Sequence, residues 1–328
     1  MKIGVVGGGS WGTAIAAHLV RAGHETRLWM RDAERARAIR ERRENQRYLP
    51  GVVLPEGLQA TTVLAEAVAG AETVFVVIPS EFCRGIYREL RAVLPAPAAV
   101  VSATKGLELE SLLRMTQVAG EELPGRPLAV LSGPSFALEV AQGQPTAVVV
   151  ACEQQAVAES LQRALSTRAF RAYTTADVIG VELAGALKNV IAIAAGIIDG
   201  LGHGHNTAAA LITRGLAEVM RLTAALGGRP DTLSGLAGLG DLVLTCTGSL
   251  SRNRRVGQAL GRGRTLAAAL QETAMVAEGV RTTLAACALA ERAGVDMPIS
   301  LQMRAVLYEG KPPREAVDQL MLRSLKRE

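Results

Sequence analysis

Short β-branched and apolar runs alternate with segments of helical spacing through the first half of the chain. The apolar runs predict six strands, at residues 2–7, 25–30, 73–79, 98–104, 128–133 and 146–152. The segments between the first five are long enough for crossover helices, and strands that alternate with helices form a parallel, doubly wound sheet.

From about Val181 onward the pattern indicates helices alone. Ala-rich runs with helical spacing lie near residues 181–198, 207–226, 256–270 and 279–293. The chain is therefore predicted to be of the α/β class, with a doubly wound domain over residues 1–180 and an all-helical domain over residues 181–328.

Composition narrows the class of protein. The hydrophobic fraction of 49% and the charged fraction of 20% are typical of a soluble globular protein. Residues 183–198 are the one candidate membrane span, but they fall short of the roughly 20 apolar residues that a span needs. Lys188 and Asn189 also interrupt the run. A buried helix is expected there, and no insertion into a membrane.

The expected compartment is the cytoplasm. The first residues, "MKIGVVGGG", predict a strand entering a loop rather than a signal peptide. The four cysteines, Cys83, Cys152, Cys246 and Cys287, have no C-x-x-C spacing, so neither a zinc site nor a disulfide framework is indicated.

His203 and His205 lack further ligands at a plausible spacing, so no metal site is expected.

One charged run, residues 31–47, contains seven arginines and four acidic residues. A nucleic-acid surface would be basic and would carry aromatic residues, whereas here opposite charges alternate and aromatic residues are absent. The run predicts the solvated face of a helix, and no nucleic-acid partner is expected.

A glycine motif follows the first predicted strand. In "VVGGGSWGTAIAAHLV" the residues Gly7, Gly9 and Gly12 form G-x-G-x-x-G between a strand and an amphipathic helix. Such glycines permit a tight turn and a close approach of the backbone to a pyrophosphate, which lies at the helix N-terminus. The motif in this context predicts a Rossmann-like dinucleotide-binding domain.

The choice of dinucleotide depends on the end of the second strand, "LWMRD". Arg31 can pair with the 2′-phosphate of NADP. In the alternative, Asp32 binds the ribose hydroxyls of NAD and Arg31 faces solvent. The sequence favours NADP(H) and leaves NAD(H) as the alternative.

Two further stretches have the composition of anion sites. "SGPSFALEV" (132–140) places Ser135 beside a Gly-Pro turn that opens a helix, where an ordinary helix start is an equally good interpretation. "GLAGLGDLVLTCTGSLSRNRRVG" (235–257) predicts a glycine-rich turn with Asp241, followed by phosphate-type donors at Ser251, Arg252 and Asn253. A solvated Arg cluster explains Arg254 and Arg255 but not the glycine-flanked Asp241.

Lysine is rare in this chain, which has 31 arginines and five lysines. The two lysines far from the termini, Lys105 and Lys188, are therefore unusual. A lysine amine can exchange a proton near neutral pH, whereas an arginine guanidinium cannot. Lys188 lies in the apolar run "ELAGALKNVIAIAAGII", where a lysine that reaches the surface is the alternative interpretation.

Over nearly its whole length the chain resembles the bacterial type of NAD(P)-dependent sn-glycerol-3-phosphate dehydrogenase. The resemblance lies in "GGGSWGTA", "NQRYLPG", "SATKGLE", "SGPSFA", "ELAGALKNVIAIAAGI", "NTAAALITRG", "AGLGDLVLTCTGSLSRNRRVG" and "VAEGVRTT", in this order. It implies reversible reduction of dihydroxyacetone phosphate to sn-glycerol 3-phosphate for phospholipid synthesis. It also implies a small-molecule substrate and is compatible with a homodimer.

The resemblance also assigns roles to residues. Lys188 would be the catalytic acid/base, and the substrate would contact Lys105, Gly133, Ser135, Lys188, Asp241, Ser251, Arg252 and Asn253. Besides the three motif glycines, the cofactor would contact Ser10, Trp11, Arg31, Tyr48, Lys105, Ala137, Arg252, Val276 and Glu278.

The expected environment of Lys188 contains opposing influences. Burial and Lys105 would lower its pKa, and Asp241 would raise it. Lys188→Met is expected to leave folding intact or improve it, because no amine then needs desolvation.

Two rival functions remain open at this point. A sibling dehydrogenase of the same architecture would act on a hydroxy acid or a sugar acid. A non-catalytic, dinucleotide-sensing regulatory protein would need no buried lysine.

Overall fold

The structure, a computed structural model, describes residues 1–271 and 277–324. Contacts between residues divide the chain into two units, which are residues 1–105 with 113–181 and residues 106–112 with 182–328. Seven residues after Lys105 thus belong to the second unit, although the sequence placed them in the first domain. Val276, an expected cofactor contact, lies outside the described residues.

The first unit contains one sheet of eight strands in the order β3-β2-β1-β4-β5-β6-β7-β8. The strands are β1 (Lys2–Val6), β2 (Glu25–Trp29), β3 (Gln59–Thr61), β4 (Thr73–Val76), β5 (Ala99–Ser102), β6 (Leu128–Ser132), β7 (Thr146–Ala151) and β8 (Phe170–Thr175). The first six have the 3-2-1-4-5-6 order of a dinucleotide-binding sheet. The α/β class and the Rossmann-like arrangement are confirmed.

The sheet differs from the prediction in three respects. β7 pairs with β6 antiparallel, so the sheet is not parallel throughout. Sequence analysis missed β3 and β8, which are the two edge strands. β3 has only three residues, and β8 alternates buried and exposed positions, so neither presents the continuous apolar run of a central strand.

Helices cover both faces of the sheet. They are α1 (Ser10–Arg21), α2 (Ala33–Arg42), α3 (Leu64–Val68), α4 (Cys83–Val93), α5 (Met115–Glu122), α6 (Ala137–Ala141) and α7 (Gln155–Leu165). One core cluster joins Ile15 of α1 to Leu28 and Phe75 of the sheet. A second cluster joins Tyr87 of α4 to Val74 of the opposite sheet face. The predicted charged helix is α2, whose buried positions are Ala36, Ala38 and Ile39.

In the described part of the second unit, all regular elements are helical. They are α8 (Val178–Gly200), which begins in the first unit, α9 (His205–Ala225), α10 (Pro230–Leu233), α11 (Asp241–Thr247), α12 (Arg252–Gly261), α13 (Leu266–Gln271), α14 (Glu278–Ala293), α15 (Pro298–Tyr308) and α16 (Pro313–Met321). The predicted run 256–270 is two helices, because the chain turns at Arg262 and Gly263. Helices α10, α11, α15 and α16 were not predicted.

Helix α8 is the predicted apolar helix. It is long and apolar enough, by length and composition, to cross a membrane, but its apolar window is 100% buried within the protein. The interpretation as a buried core helix is confirmed.

Glu218 of α9 is a buried carboxylate that caps another helix. Its oxygens accept hydrogen bonds from the backbone N–H groups of Ile299 (2.5 Å) and Ser300 (3.2 Å) at the start of α15. Burial outweighs these bonds and raises the pKa of Glu218 to about 7. A glutamate is thus held between the protonated and charged forms near neutral pH.

Glu218→Gln is expected to remove the loss of stability that the parent shows between pH 5 and pH 8. A raised pKa means that the folded state binds the proton more tightly, so stability falls as pH rises from the unfolded value near 4.5 to about 7. Glutamine carries no charge, but its NH2 group cannot accept the bond that the Ser300 N–H donates to Glu218, so a constant cost is expected at both pH values. Relative to the parent, the variant should gain up to about 3 kcal/mol between pH 5 and pH 8. Urea unfolding at both pH values measures it, with the exposed Glu291→Gln as the matched control. An equal effect of Glu218→Gln at both pH values would contradict the raised pKa.

Candidate active site

The loop after β1 has the geometry of a pyrophosphate cradle. Helix α1 begins at Ser10 with Gly9 as its N-cap, so no side chain caps its first N–H groups. A Cβ on Gly12 would lie 1.8 Å from the carbonyl oxygen of Gly7, whereas a Cβ on Gly9 would meet no described atom within 4 Å. Gly12 therefore permits close packing, and Gly9 leaves open space before a helix N-terminus. These residues fit a dinucleotide.

Asn45 supports this loop, and Trp11 follows it in the chain. Trp11 buries its Nε1, which has no hydrogen-bond partner among the described residues. Asn45, which sequence analysis missed, donates from Nδ2 to Thr13 Oγ1 (2.9 Å) and to the carbonyl oxygen of Gly8 (3.2 Å). Asn45 lies in "NQRYLPG", so the same segment that carries Tyr48 also fixes the glycine loop.

Asp32, which follows β2, is engaged by a neighbouring residue of the first unit. Asp32 is the N-cap of α2 and accepts a hydrogen bond from the backbone N–H of Arg35 at 2.9 Å. Its other oxygen pairs with Arg35 Nε at 2.9 Å. The Arg35 N–H and then its guanidinium lower the pKa of Asp32. Arg31 is exposed, with its guanidinium 5.1 Å from the ring centre of Phe82. Tyr48 lies 4.9 Å from the Arg35 guanidinium carbon.

Three predicted substrate residues of the first unit meet at one carbonyl. Lys105 Nζ donates to the carbonyl oxygen of Gly133 at 2.9 Å, and Ser135 Oγ donates to the same oxygen at 3.0 Å. Gly133 has φ +128°, a conformation that favours glycine. The helix that follows, α6, begins at Ala137 and has only five residues, with Phe136 rather than Ser135 at its N-cap.

Lys188 is buried and paired in the second unit. It is 7% exposed, and its Nζ lies 2.5 Å from Asp241 Oδ1 and 2.8 Å from Thr245 Oγ1. Asp241 is 1% exposed, so the carboxylate has little contact with water and stabilises the ammonium form of Lys188. The lysine does not reach the surface, and the prediction that Asp241 is its neighbour is confirmed.

The stretch before Asp241 is helical, which corrects the predicted glycine-rich turn. Leu236–Gly240 form one π-helical turn, in which the N–H of Gly240 donates to the carbonyl oxygen of Gly235 at 3.1 Å. Asp241 then begins α11. A Cβ on Gly238 would lie 2.1 Å from the Leu233 carbonyl oxygen, so the glycine is needed for packing. Rare π-turns occur often at functional sites.

Thr245 completes this cluster and was missed in the sequence. It lies one helical turn after Asp241, and its hydroxyl donates to the Asp241 carbonyl oxygen at 2.6 Å. The i, i+4 spacing of Asp241 and Thr245 in "GDLVLTCT" was the available signal. The adjacent Cys246 is inert, because burial raises the pKa of its thiol to about 12.

Asn253 bridges three helices instead of presenting a free amide. Its Nδ2 donates to Asn189 Oδ1 at 2.9 Å, and its Oδ1 accepts from the N–H of Gly279 at 3.0 Å. Ser251 is the N-cap of α12 and accepts from the N–H of Arg254 at 3.3 Å. Helices α8 and α12 cross in backbone contact, since a Cβ on Gly257 would lie 2.0 Å from the Ile193 carbonyl oxygen. This crossing places the start of α12 beside Asn189.

The remaining predicted residues lie at helix starts or turns. Arg252 and Glu278 begin α12 and α14, Ser10 begins α1, and His205 begins α9. His203 lies in the preceding loop. In residues 1–271 and 277–324, no group of three or more His, Cys, Asp or Glu side chains could hold a metal ion.

An open glycine loop on a doubly wound sheet, followed by a helical unit with a buried lysine–carboxylate pair, is the architecture of a dinucleotide-dependent dehydrogenase. Two family models match the chain: the NAD-dependent glycerol-3-phosphate dehydrogenase N-terminus over residues 2–158 and its C-terminus over residues 177–318.

Individual relatives agree with the family models. Glycerol-3-phosphate dehydrogenase [NAD(P)+] of Geobacter sp. (strain M21) is 54% identical over 100% of this chain and 98% of its own length. The crystal structure of glycerol-3-phosphate dehydrogenase from Coxiella burnetii has a TM-score of 0.95 and 41% identity, covering 98% of this chain and 99% of that one. The yeast glycerol-3-phosphate dehydrogenase structure has a TM-score of 0.84 and 27% identity, covering 98% and 99%.

The chain belongs to the NAD-dependent glycerol-3-phosphate dehydrogenase family. It is an oxidoreductase that uses NAD(P), and the resemblance found in its sequence is confirmed.

Proposed function

We propose that this protein reduces dihydroxyacetone phosphate to sn-glycerol 3-phosphate, reversibly, with Lys188 as its general acid and base. The observation that carries this assignment is a buried ammonium group held by Asp241 at 2.5 Å and Thr245 at 2.8 Å in a member of this family. In the cell the product would supply glycerophospholipid synthesis. We further propose a cytoplasmic location and a homodimer.

The chemistry needs a hydride and a proton. When bound, the reduced nicotinamide supplies the hydride to the carbonyl carbon. Lys188 donates a proton from Nζ to the carbonyl oxygen of the substrate and, in the reverse direction, removes it from the hydroxyl. Asp241 favours the charged amine before the transfer, and Thr245 restricts its orientation. Burial excludes water from the amine and strengthens both interactions.

The start of α12 is the proposed phosphate site. Arg252 offers a guanidinium that can form two parallel hydrogen bonds, and Ser251 and Asn253 flank it at the helix N-terminus. The Asn253 amide already donates a hydrogen bond to Asn189. Asn253 therefore positions the start of α12 rather than binding the phosphate directly. Lys105, Gly133 and Ser135 are further proposed substrate contacts in the first unit.

NADP(H) is the proposed preferred cofactor, with NAD(H) also used. Arg31 is exposed at the end of β2 and can pair with a 2′-phosphate. Asp32 is already paired with Arg35, and this argues against a hydrogen bond from the ribose hydroxyls of NAD to Asp32. The proposed cofactor contacts are the loop glycines and, in addition, Ser10, Trp11, Tyr48, Lys105, Ala137, Arg252 and Glu278.

A single spectrophotometric assay tests the reaction. Oxidation of NADPH and NADH is followed at saturating dihydroxyacetone phosphate, and parallel reactions follow the reduction of NADP+ and NAD+ by a hydroxy acid or a sugar acid. Turnover of the phosphorylated ketone alone supports the proposal. Turnover of the carboxylates alone would assign the protein to a sibling dehydrogenase class. Dinucleotide binding without turnover of any substrate would indicate a sensing role.

Arg31→Glu is expected to shift the cofactor preference toward NADH by about tenfold or more. A charge-assisted pair contributes about 1.5–3 kcal/mol, and the substitution replaces attraction by repulsion at the 2′ position. The measurement is the ratio of kcat/KM for NADPH and NADH. An unchanged ratio would show that Arg31 does not contact the 2′-phosphate.

A further inference from the structure

The Asp32 carboxylate is held at both oxygens by one neighbour. Oδ1 accepts the backbone N–H of Arg35 at 2.9 Å, and Oδ2 pairs with Arg35 Nε at 2.9 Å. The Arg35 side chain is 26% exposed, and its guanidinium carbon lies 4.9 Å from the Tyr48 ring centre. Arg35 is therefore fixed on one side by a carboxylate and on the other by an aromatic ring.

An acidic residue at this end of a dinucleotide-binding sheet ordinarily selects NAD. Its free oxygens accept hydrogen bonds from the ribose hydroxyls, and its charge repels a 2′-phosphate. Asp32 is restricted in both respects, because Oδ1 already accepts the Arg35 N–H and Oδ2 forms an ion pair with the Arg35 guanidinium, which offsets its charge. Together Arg31, Asp32 and Arg35 leave one net positive charge near the proposed 2′ position.

We propose that Arg35 determines cofactor specificity by masking Asp32, so that a 2′-phosphate is accepted at a position where an unmasked aspartate would reject it. Arg35 acts through Asp32 and needs no contact with the cofactor. The inference rests on the proposed use of NADP(H) and adds the residue that makes it compatible with an aspartate after β2.

The first arm of the test removes the mask. Arg35→Gln is expected to lower the ratio of the NADH to the NADPH dissociation constant by about tenfold, because Asp32 then carries an exposed charge. The same change should appear in calorimetric binding of adenosine 2′,5′-bisphosphate relative to adenosine 5′-monophosphate, which reports the 2′-phosphate without catalysis. Arg37→Gln is the matched control, since Arg37 lies on the same helix, is 59% exposed and pairs with Glu41.

The second arm removes the masked group. Asp32→Asn preserves the N-cap, because asparagine caps helices as well as aspartate does. In the parent it should leave the ratio unchanged or raise it, because the charge of Arg35 is then no longer offset, whereas in the Arg35→Gln background it should restore NADPH binding to near the parent value. This rescue separates masking from a merely structural role, which Asp32→Asn would not repair.

Each failure has a distinct meaning. An unchanged ratio in Arg35→Gln, or a double variant as impaired as Arg35→Gln alone, would overturn masking, and the latter would indicate direct contact with the phosphate. If Arg35→Gln fails to fold, weaker NADPH binding in Asp32→Asn alone would equally overturn it. A parent that binds NADH as tightly as NADPH would overturn the proposed preference, while the shift caused by Arg35→Gln would still test the mask.

Discussion

Lys188→Arg is expected to lower kcat for dihydroxyacetone phosphate by roughly 10²–10⁴-fold, the usual contribution of a positioned acid or base. Arginine keeps the positive charge opposite Asp241, but its guanidinium does not release a proton near neutral pH. The dissociation constant of NADPH should remain within about twofold, because the proposed cofactor loop lies in the first unit. Steady-state kinetics and fluorescence titration of NADPH measure the two quantities.

Lys311→Arg is the matched control for this substitution. Lys311 bonds to Gln302 and Gln319 and belongs to no proposed site, so its replacement should leave kcat unchanged. If Lys188→Arg retains most of the parent activity, Lys188 is a structural cation and the acid/base assignment is wrong.

The central part of the fold could be predicted because its signals are local. A buried parallel strand is a short apolar run, and the glycine motif after β1 specifies a strand, a turn and a helix together. The edge strands β3 and β8 were not predicted, because the polar and exposed residues in them give a sequence pattern like that of a loop. The antiparallel pairing of β7 could not be predicted either, because strand direction depends on the pairing of distant residues.

The candidate site was predicted by residue type but not by arrangement. Lys188 was found because a lysine in an apolar run is unusual, and Asp241 because its glycines had no other explanation. Their contact joins residues 53 apart in the chain, and that of Lys188 with Thr245 joins residues 57 apart. Such distances hold no periodic signal. The π-turn before Asp241 was missed because its glycines, which permit helical packing here, indicate turns in most sequences.

In the proposed cofactor site, the contact that the sequence analysis overlooked is local, between Asp32 and Arg35. Arg35 follows Asp32 at the i, i+3 spacing of a helical ion pair, and Asp32 has the composition of an N-cap. Sequence analysis considered Arg31 and Asp32 as alternatives and left out the residue that engages Asp32. The N-cap composition of Asp32 and the i, i+3 spacing of Arg35 together predict this contact.

Lys188→Met is expected to lower the free energy of unfolding by about 3–5 kcal/mol, the cost of removing one partner of a buried ion pair. The sequence alone suggested the opposite, because only the desolvation of the amine was considered. In the structure Asp241 is 1% exposed and would be left without its counter-charge. Urea unfolding at pH 7 measures the loss.

The double variant Lys188→Met with Asp241→Asn should recover most of this stability while remaining inactive. Replacing both members of a buried pair by neutral residues of similar size removes the unpaired charge, and such replacements are often neutral or stabilising. In Lys188→Met alone, burial should raise the pKa of the Asp241 carboxyl, so the deficit should shrink as pH falls and the group takes up a proton. The double variant should show no such pH dependence, because it has no titrating group at this position. Equal stability of Lys188→Met and the double variant at pH 7 would mean that Asp241 finds another partner, and that its pairing with Lys188 does not hold the two helices together.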